Sequence, residues 1–342
     1  MKAAWYERNG PATEVMVVGE RPTPESGAGE VRVKLHTSGV NPSDVKSRMA
    51  RPLGGPFIIP HSDGAGVIDQ VGAGVPATRM GERVWTWNAQ WQRPHGTAAE
   101  YVVLPSAQAA HLPDNTSFEA GACMGIPGLT ALQAMRLAGD VKGKQVLVTG
   151  ASSSVGHYLT QMLSQAGAMV IGTVGSEAKA AYAQAAGASH TLFYKNGHTV
   201  DEVKTLTQGQ GVDVVIDMDF STTAGWLAQG VLKHHGQLVC YGSNPPLDIS
   251  LAFRAMLFGS FNLKFFLVYD LLPADRLACL TSLNAMLKAG SLQHTVLPAF
   301  TLDQVVQAHE TVEAGQSMGN VCLLYTSPSP RDRTRSRMPS SA

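Results

Sequence analysis

Between Val148 and Gly156 the chain reads Thr149-Gly150-Ala151-Ser152-Ser153-Ser154-Val155-Gly156, small residues set between an apolar stretch and an amphipathic one. A pyrophosphate is held at such a place by backbone N–H groups that a tight turn aims from a helix N-terminus. Gly150 is placed for the turn and Gly156 for close helix–strand packing. Ser153 and Ser154 stand where the usual fingerprint has its middle glycine. They still offer N–H groups, with that of Val155 next in line, and they add hydroxyls. Alone, the pattern also fits a purely structural strand-to-helix turn.

The next apolar stretch ends Thr173-Val174-Gly175-Ser176-Glu177-Ala178-Lys179. A site for NADH usually has a carboxylate at this strand end, on the ribose 2′-hydroxyl. Gly175, Ser176 and Lys179 instead supply free N–H groups, a hydroxyl and an ammonium, which suit a 2′-phosphate and favour NADPH. The structural alternative is a serine N-cap followed by a solvated lysine, and Glu177 leaves an opening for NADH.

These groups need a scaffold, and the spacing of apolar runs predicts one. Strands over 144–149, 168–173, 191–194, 212–217, 237–241 and 262–266 alternate with helices over 155–165, 177–186, 200–206 and 224–233. Such alternation means a doubly wound parallel sheet, a Rossmann domain. Tyr241-Gly242-Ser243-Asn244 follows the fifth strand, at the sheet end where ligands bind. Before 117 the chain is rich in Pro and Gly with short alternating stretches, of which Val31, Val33 and Leu35 are one, so a β-barrel-like domain is expected there. A helix over 273–289 and short extended pieces should fold back onto that first domain.

Composition narrows the function classes. Hydrophobic residues are 44% and charged residues 15%, as in a compact protein. No apolar run would cross a bilayer, and the N-terminus lacks a signal-peptide layout, so the cytoplasm is the expected location. Cys123, Cys240, Cys279 and Cys322 are too scattered for a disulfide framework or a structural zinc site. Residues 322–342 read as a translated transposase-type sequencing adapter, which would remove them from functional argument. Subtracting their four arginines and one aspartate from 26 basic and 26 acidic side chains leaves 22 and 25, a net of −3. Such a body has no basic patch for nucleic acid or anionic membrane.

Several further motifs occur in order: Gly39-Val40-Asn41-Pro42-Ser43-Asp44, Asp63-Gly64-Ala65-Gly66-Val67, Gly96-Thr97-Ala98-Ala99-Glu100-Tyr101, Gly128-Leu129-Thr130-Ala131, Ala308-His309-Glu310 and Gly319-Asn320-Val321. With them, residues 1–321 resemble the medium-chain reductases, in the zinc-independent quinone oxidoreductase (zeta-crystallin-like) branch. The resemblance implies a Rossmann domain (121–265) inserted in a GroES-like β-barrel catalytic domain (1–120 and 266–321), with the active site in the cleft between. It implies Asn41 and Asp44 beside nicotinamide and substrate, although an Asx-turn role suits Asp44 equally. It puts Thr130, Tyr241, Gly242, Ser243, Asn244, Phe265, Phe266, Leu267 and Asn320 on the cofactor, and Tyr194 near the adenosine phosphate. An apolar edge strand that dimerises is the other reading of Phe265–Leu267.

Zinc-dependent relatives carry a cysteine where this chain has Asn41 and a histidine where Ser62 falls, with their third ligand near Cys123 or Met124. No metal is therefore expected, since a catalytic zinc needs three protein ligands. Without that Lewis acid, an already electrophilic acceptor, a quinone or an α,β-unsaturated carbonyl, suits hydride transfer. Trp85, Trp87 and Trp91 are candidates for an aromatic wall, or for ordinary packing. An enoyl-thioester reductase is the alternative within the superfamily and would need an acid, often a tyrosine. A non-catalytic crystallin-like or RNA-binding role is the alternative from another class. A short-chain dehydrogenase is set aside, because no Tyr-x-x-x-Lys sequence occurs.

Overall fold

The apolar runs of the chain's middle assemble as six parallel strands, in a computed structural model that describes residues 1–245 and 247–325. Across the sheet they lie in the order His190–Phe193, Met169–Val174, Gln145–Val148, Val212–Asp217, Leu232–Cys240 and Asn262–Phe265. Numbered along the chain this is the doubly wound order of a Rossmann domain, with its switch point between Gln145–Val148 and Val212–Asp217. Both faces are covered, which is why these strands are continuously apolar. Val146 and Val148 face one core with Tyr158, Leu159 and Ala183, while Leu147 faces the other with Val203, Phe220 and Leu227.

The flanking segments form a seven-stranded sheet in which Glu30–Val40 pairs antiparallel with Asp63–Val71, Tyr101–Pro105 and Val321–Leu324. Strands from both ends of the chain thus share one sheet, and the Rossmann domain interrupts it. Helix Pro273–Ala289 packs on helix Leu129–Ala138 and receives Trp85 of the first domain, whose Nε1 donates to Asn284 Oδ1 at 3.0 Å. It therefore bridges the two domains instead of returning wholly to the first.

Two expectations need correction. The helix expected over 224–233 is Phe220–Ala228, and the next strand begins at Leu232. Gly230 with φ +84° stops the helix there, and Leu232 then pairs with Val212. Tyr194 follows its strand instead of ending it, in a 3₁₀ turn Tyr194–Asn196 that Gly197 closes with φ +78°. Within the segment read as an adapter, Cys322 and Leu323 are buried in strand Val321–Leu324, and the Tyr325 hydroxyl donates to Thr97 O at 2.5 Å. The tetrapeptide Cys-Leu-Leu-Tyr simply continues the apolar strand begun at Val321. The rest of the proposed adapter, 326–342, lies outside the described residues.

Candidate active site

The loop after the first parallel strand is built for close approach. Gly150 has φ +65°, and its N–H donates to Thr173 Oγ1 at 2.9 Å. A Cβ on Gly156 would sit 2.1 Å from Gly150 O, so helix Ser154–Gln165 starts against the strand. Ser153 is the N-cap of that helix, its Oγ accepting from the Gly156 N–H at 3.0 Å. Ser154 Oγ donates to Gly319 O at 3.5 Å, reaching the motif that carries Asn320. Both hydroxyls thus serve the fold, while the backbone N–H groups of Ser154 and Val155 have no acceptor among the described residues. Asp217, which the sequence did not single out, ties the fourth strand to this loop by accepting from Thr149 Oγ1 at 2.9 Å.

At the second strand's end, Ser176 caps helix Glu177–Ala185. Lys179 Nζ donates to Gly315 O at 2.9 Å, across to the helix Val305–Ala314 of the other domain. A Cβ on Gly175 would lie 3.1 Å from the Tyr194 hydroxyl and 3.5 Å from Lys195 Cε. The structure therefore brings Gly175, Ser176, Lys179 and Tyr194 to one rim and adds Lys195, whose position directly after Tyr194 was the available sequence signal.

Farther along the sheet's carboxyl edge, the Thr130 and Tyr241 hydroxyls are buried without a hydrogen-bond partner among the described residues. A Cβ on Gly242 would meet Met218 O at 2.5 Å. Asn244 donates to Asp219 from both backbone and side chain, at 2.9 and 2.8 Å. Burial pushes the Asp219 carboxyl up, but these bonds and those from Ser221 and Thr222 outweigh it and hold it below its ordinary range. Phe266 packs towards Tyr241, whereas Phe265 meets Phe220 edge-on and is 57% exposed and Leu267 is 49% exposed. An open depression of about 340 Å³ lies among Phe220, Tyr241, Ser243, Ile249, Phe265 and Phe266. Asn320, at the junction of the domains, donates from its side chain to Thr295 O at 3.2 Å. The orphaned hydroxyls and the glycine cradle fit a dinucleotide laid along this edge.

Facing that edge, helix Pro42–Ala50 begins at Asn41. The Asn41 N–H donates to Asp44 Oδ2 at 2.8 Å, and its Nδ2 donates to Asp63 Oδ2 at 2.9 Å. Asp63 Oδ2 also accepts from the Ile126 N–H at 2.9 Å, while Asp63 Oδ1 is buried without a partner. Burial raises the Asp44 carboxyl to about 7, against the pull of its Asn41 bonds. Burial, reinforced by Asp44, pushes Asp63 well above its ordinary value. Asp44 thus caps the helix and stays buried at the base of the site. Asp63 was visible in its glycine-rich motif, but only the fold shows that it orients Asn41.

Tyr269 is a further residue that sequence reasoning missed. It lies in the 3₁₀ turn Val268–Asp270 just after the sixth strand, and its hydroxyl donates to Ser43 Oγ at 2.9 Å. Its ring stacks on Trp91 at 4.5 Å and 14°. Of the three tryptophans, Trp91 alone joins such a wall: Trp85 is wholly buried, and Trp87 lies against the Arg276 guanidinium at 4.3 Å.

Residues 27–114 match the alcohol dehydrogenase GroES-like domain, and residues 154–283 the zinc-binding dehydrogenase domain. The quinone oxidoreductase of Mus musculus is 32% identical over 67% of this chain and 69% of its own length. The chain belongs to the medium-chain dehydrogenase/reductase superfamily, in its quinone oxidoreductase branch. It is thus an oxidoreductase of the nicotinamide-dependent kind. The 2-haloacrylate reductase of a Burkholderia species is 28% identical over 95% of this chain and 98% of its own. A mycobacterial protein solved in complex with NADPH superposes with a TM-score of 0.84 at 27% identity, covering 95% of this chain and all of that one.

The donors at the family's zinc position do not fit that metal. Asn41 gives its amide to Asp63. His61 uses one ring nitrogen on Ser38 Oγ and the other on His309 Nε2, both at 2.9 Å. The Cys123 thiol lies 3.9 Å from that of Cys322, whose hydrogen bond, with burial, raises it well above its ordinary value. Among the described residues no three His, Cys, Asp or Glu side chains converge on a metal position, and no helix is long and apolar enough to cross a membrane.

Proposed function

We propose that this chain reduces quinones or α,β-unsaturated carbonyl compounds by direct hydride transfer from NADPH, without a metal. The observation that carries this is the meeting of the parallel sheet's carboxyl edge with the Asn41 end of helix Pro42–Ala50. Lys46 and Tyr269 cross from one to the other, to Ser243 O at 3.3 Å and Ser43 Oγ at 2.9 Å.

In this reading the Ser154 and Val155 N–H groups, between Gly150 and Gly156, take the pyrophosphate. Gly175, Ser176, Lys179, Tyr194 and Lys195 surround the 2′-phosphate. Thr130, Tyr241, Gly242, Ser243, Asn244, Phe266 and Asn320 hold the nicotinamide half, and Asn41 meets the acceptor's oxygen or the carboxamide. When bound, the reduced nicotinamide supplies a hydride, two electrons with one proton. The NADPH-complexed relative supports this cofactor. The 2-haloacrylate reductase supports the conjugated acceptor, its named substrate being an α,β-unsaturated acid.

The proton required afterwards divides the acceptors. A reduced quinone takes it from water, whereas an enone needs one at its α-carbon. In this reading Tyr269 gives it, because its hydroxyl reaches the Asn41 end of helix Pro42–Ala50, where it donates to Ser43 Oγ at 2.9 Å. That observation also favours the enoyl-thioester reading, which lacked an acid in the sequence. Tyr269→Phe should lower kcat for enones at least about ten-fold and that for quinones less than about three-fold. Equal losses would remove Tyr269 from the proton path.

The deciding assay is NADPH oxidation with a quinone, an alkenal and an enoyl-CoA side by side. Turnover confined to enoyl-CoA overturns the quinone and enone reading. For the cofactor, Lys179→Ala should raise the KM for NADPH about ten-fold or more, with little change for NADH, as loss of one charge-assisted bond implies. Equal effects on both cofactors would leave Lys179 as a mere strut to Gly315. We further propose a homodimer through the exposed edge strand Asn262–Phe265, flanked by exposed Phe258 and Leu267. A cytoplasmic location agrees with four buried free cysteines.

A further inference from the structure

We infer that the mouth of this cleft is an anion-recognition subsite, in which Lys46 and Arg51 bind a carboxylate carried by the acceptor. The inference rests on the reductase reading above and names the class of its substrate.

Helix Pro42–Ala50 runs from Asn41, at the reacting end, outward to Arg51. Ser43 and Lys46 lie one turn apart on the same side of it. Lys46 Nζ lies 3.3 Å from Ser243 O and 3.5 Å from Asn244 Oδ1, at the sheet edge where the nicotinamide half would lie. These two acceptors do not exhaust three ammonium donors. The Arg51 guanidinium lies 5.0 Å from the Trp91 ring, which stacks on Tyr269, whose hydroxyl returns to Ser43. Lys46, Ser43, Tyr269, Trp91 and Arg51 therefore form a continuous rim, cationic at both ends and aromatic between.

The charge of that rim is not neutralised. Both cations are exposed, and among the described residues neither has a carboxylate within ion-pair distance. The carboxyls beneath are buried, and burial, the larger influence, holds Asp44 and Asp63 towards their neutral forms. A neutral quinone makes no use of two such cations. An α,β-unsaturated acid does: its flat conjugated part can lie against Trp91 and Tyr269 while its carboxylate bonds to one of the two cations and is attracted by the other. In the reductase reading such an acid would be reduced by a hydride to its β-carbon, with NADPH oxidised to NADP+, and a proton from Tyr269 or water at the α-carbon would complete the saturated acid.

The test uses the full chain, NADPH and matched acceptors. These are 4-oxo-2-pentenoate and its methyl ester, crotonyl-CoA and crotonyl-N-acetylcysteamine, and a naphthoquinone as neutral reference. The acid should exceed its ester at least about ten-fold in kcat/KM. Lys46→Met and Arg51→Met should each lower that acid-to-ester ratio at least five-fold, through KM, with Lys46→Arg restoring it. A preference for crotonyl-CoA over the truncated thioester without an acid preference would mean that the rim reads phosphates, and would overturn the carboxylate assignment. Acid and ester used alike, or a ratio indifferent to both variants, would overturn it with the naphthoquinone still turned over. No turnover of any acceptor would remove the reductase reading as well.

Discussion

Gly156→Ala is expected to weaken NADPH binding by more than about a hundred-fold while the chain still folds. The new Cβ would lie 2.1 Å from Gly150 O and 2.9 Å from Ala151 Cα. Both are backbone atoms, so no flexible side chain can give way. Helix Ser154–Gln165 would have to move off the first strand, turning the Ser154 and Val155 N–H groups away from any pyrophosphate. Overpacking of this kind costs about 1–3 kcal/mol of stability, which thermal unfolding will register. The affinity loss should be larger, because two charge-assisted bonds and the helix-terminal field are displaced together. Gly143→Ala is the control: Gly143 has a left-handed backbone, with φ +72°, and no atom within 4 Å of the added Cβ. It should lose a comparable stability, about 1 kcal/mol, with NADPH affinity intact. Calorimetric titration of both variants decides the matter. If Gly156→Ala binds NADPH within about three-fold of the parent, residues 149–156 are only a structural turn.

How far the sequence could be read follows from the range of the forces involved. Local periodicity gave the parallel sheet, since strands buried on both faces are apolar throughout, and helix Pro273–Ala289 was readable to the residue. Local periodicity failed where one residue's backbone sign decides, as at Gly230, where the helix pattern continued on paper but the chain did not. The loop glycines were legible because close approach demands them. Asn41 and Asp44 were legible as a motif, but their partner Asp63 touches Asn41 from another strand, and no spacing rule links positions 41 and 63. Tyr269 shares this cause, since it reaches the cleft by tertiary folding. Lys179 shows the converse, since its residue type pointed to a phosphate while its ammonium also spans to Gly315 of the other domain. Cys322 and Leu323 show it too, since an origin argued from coding sequence says nothing of whether a short apolar segment completes a sheet.

Unfolding measured against pH should reveal Asp44, with a sign opposite to that of the buried histidines. Its carboxyl is raised by burial from 3.8 to about 7, so the folded state holds a proton that the unfolded chain releases. Stability from this group is complete below pH 3.8 and is lost as pH rises through about 7. A shift of that size corresponds to at most about 4 kcal/mol. Asp63, pushed up by burial and by Asp44, adds in the same direction. The histidines run the other way. Burial lowers His309 to about 3 and His157 and His294 to about 4, and it lowers His61 too, so folding gains as pH rises towards 6.5. The parent's profile is therefore a dome that does not identify Asp44 by itself. The difference from Asp44→Asn does, because the histidines cancel in it. The asparagine Oδ1 can still accept the Asn41 N–H, so the helix cap survives. Between pH 5 and pH 8 the variant should gain about 2–4 kcal/mol relative to the parent, read from urea midpoints at constant m-value. A difference that stays flat over that interval would mean that Asp44 is ionised within the fold throughout, and that the base of the cleft carries a negative charge facing the acceptor.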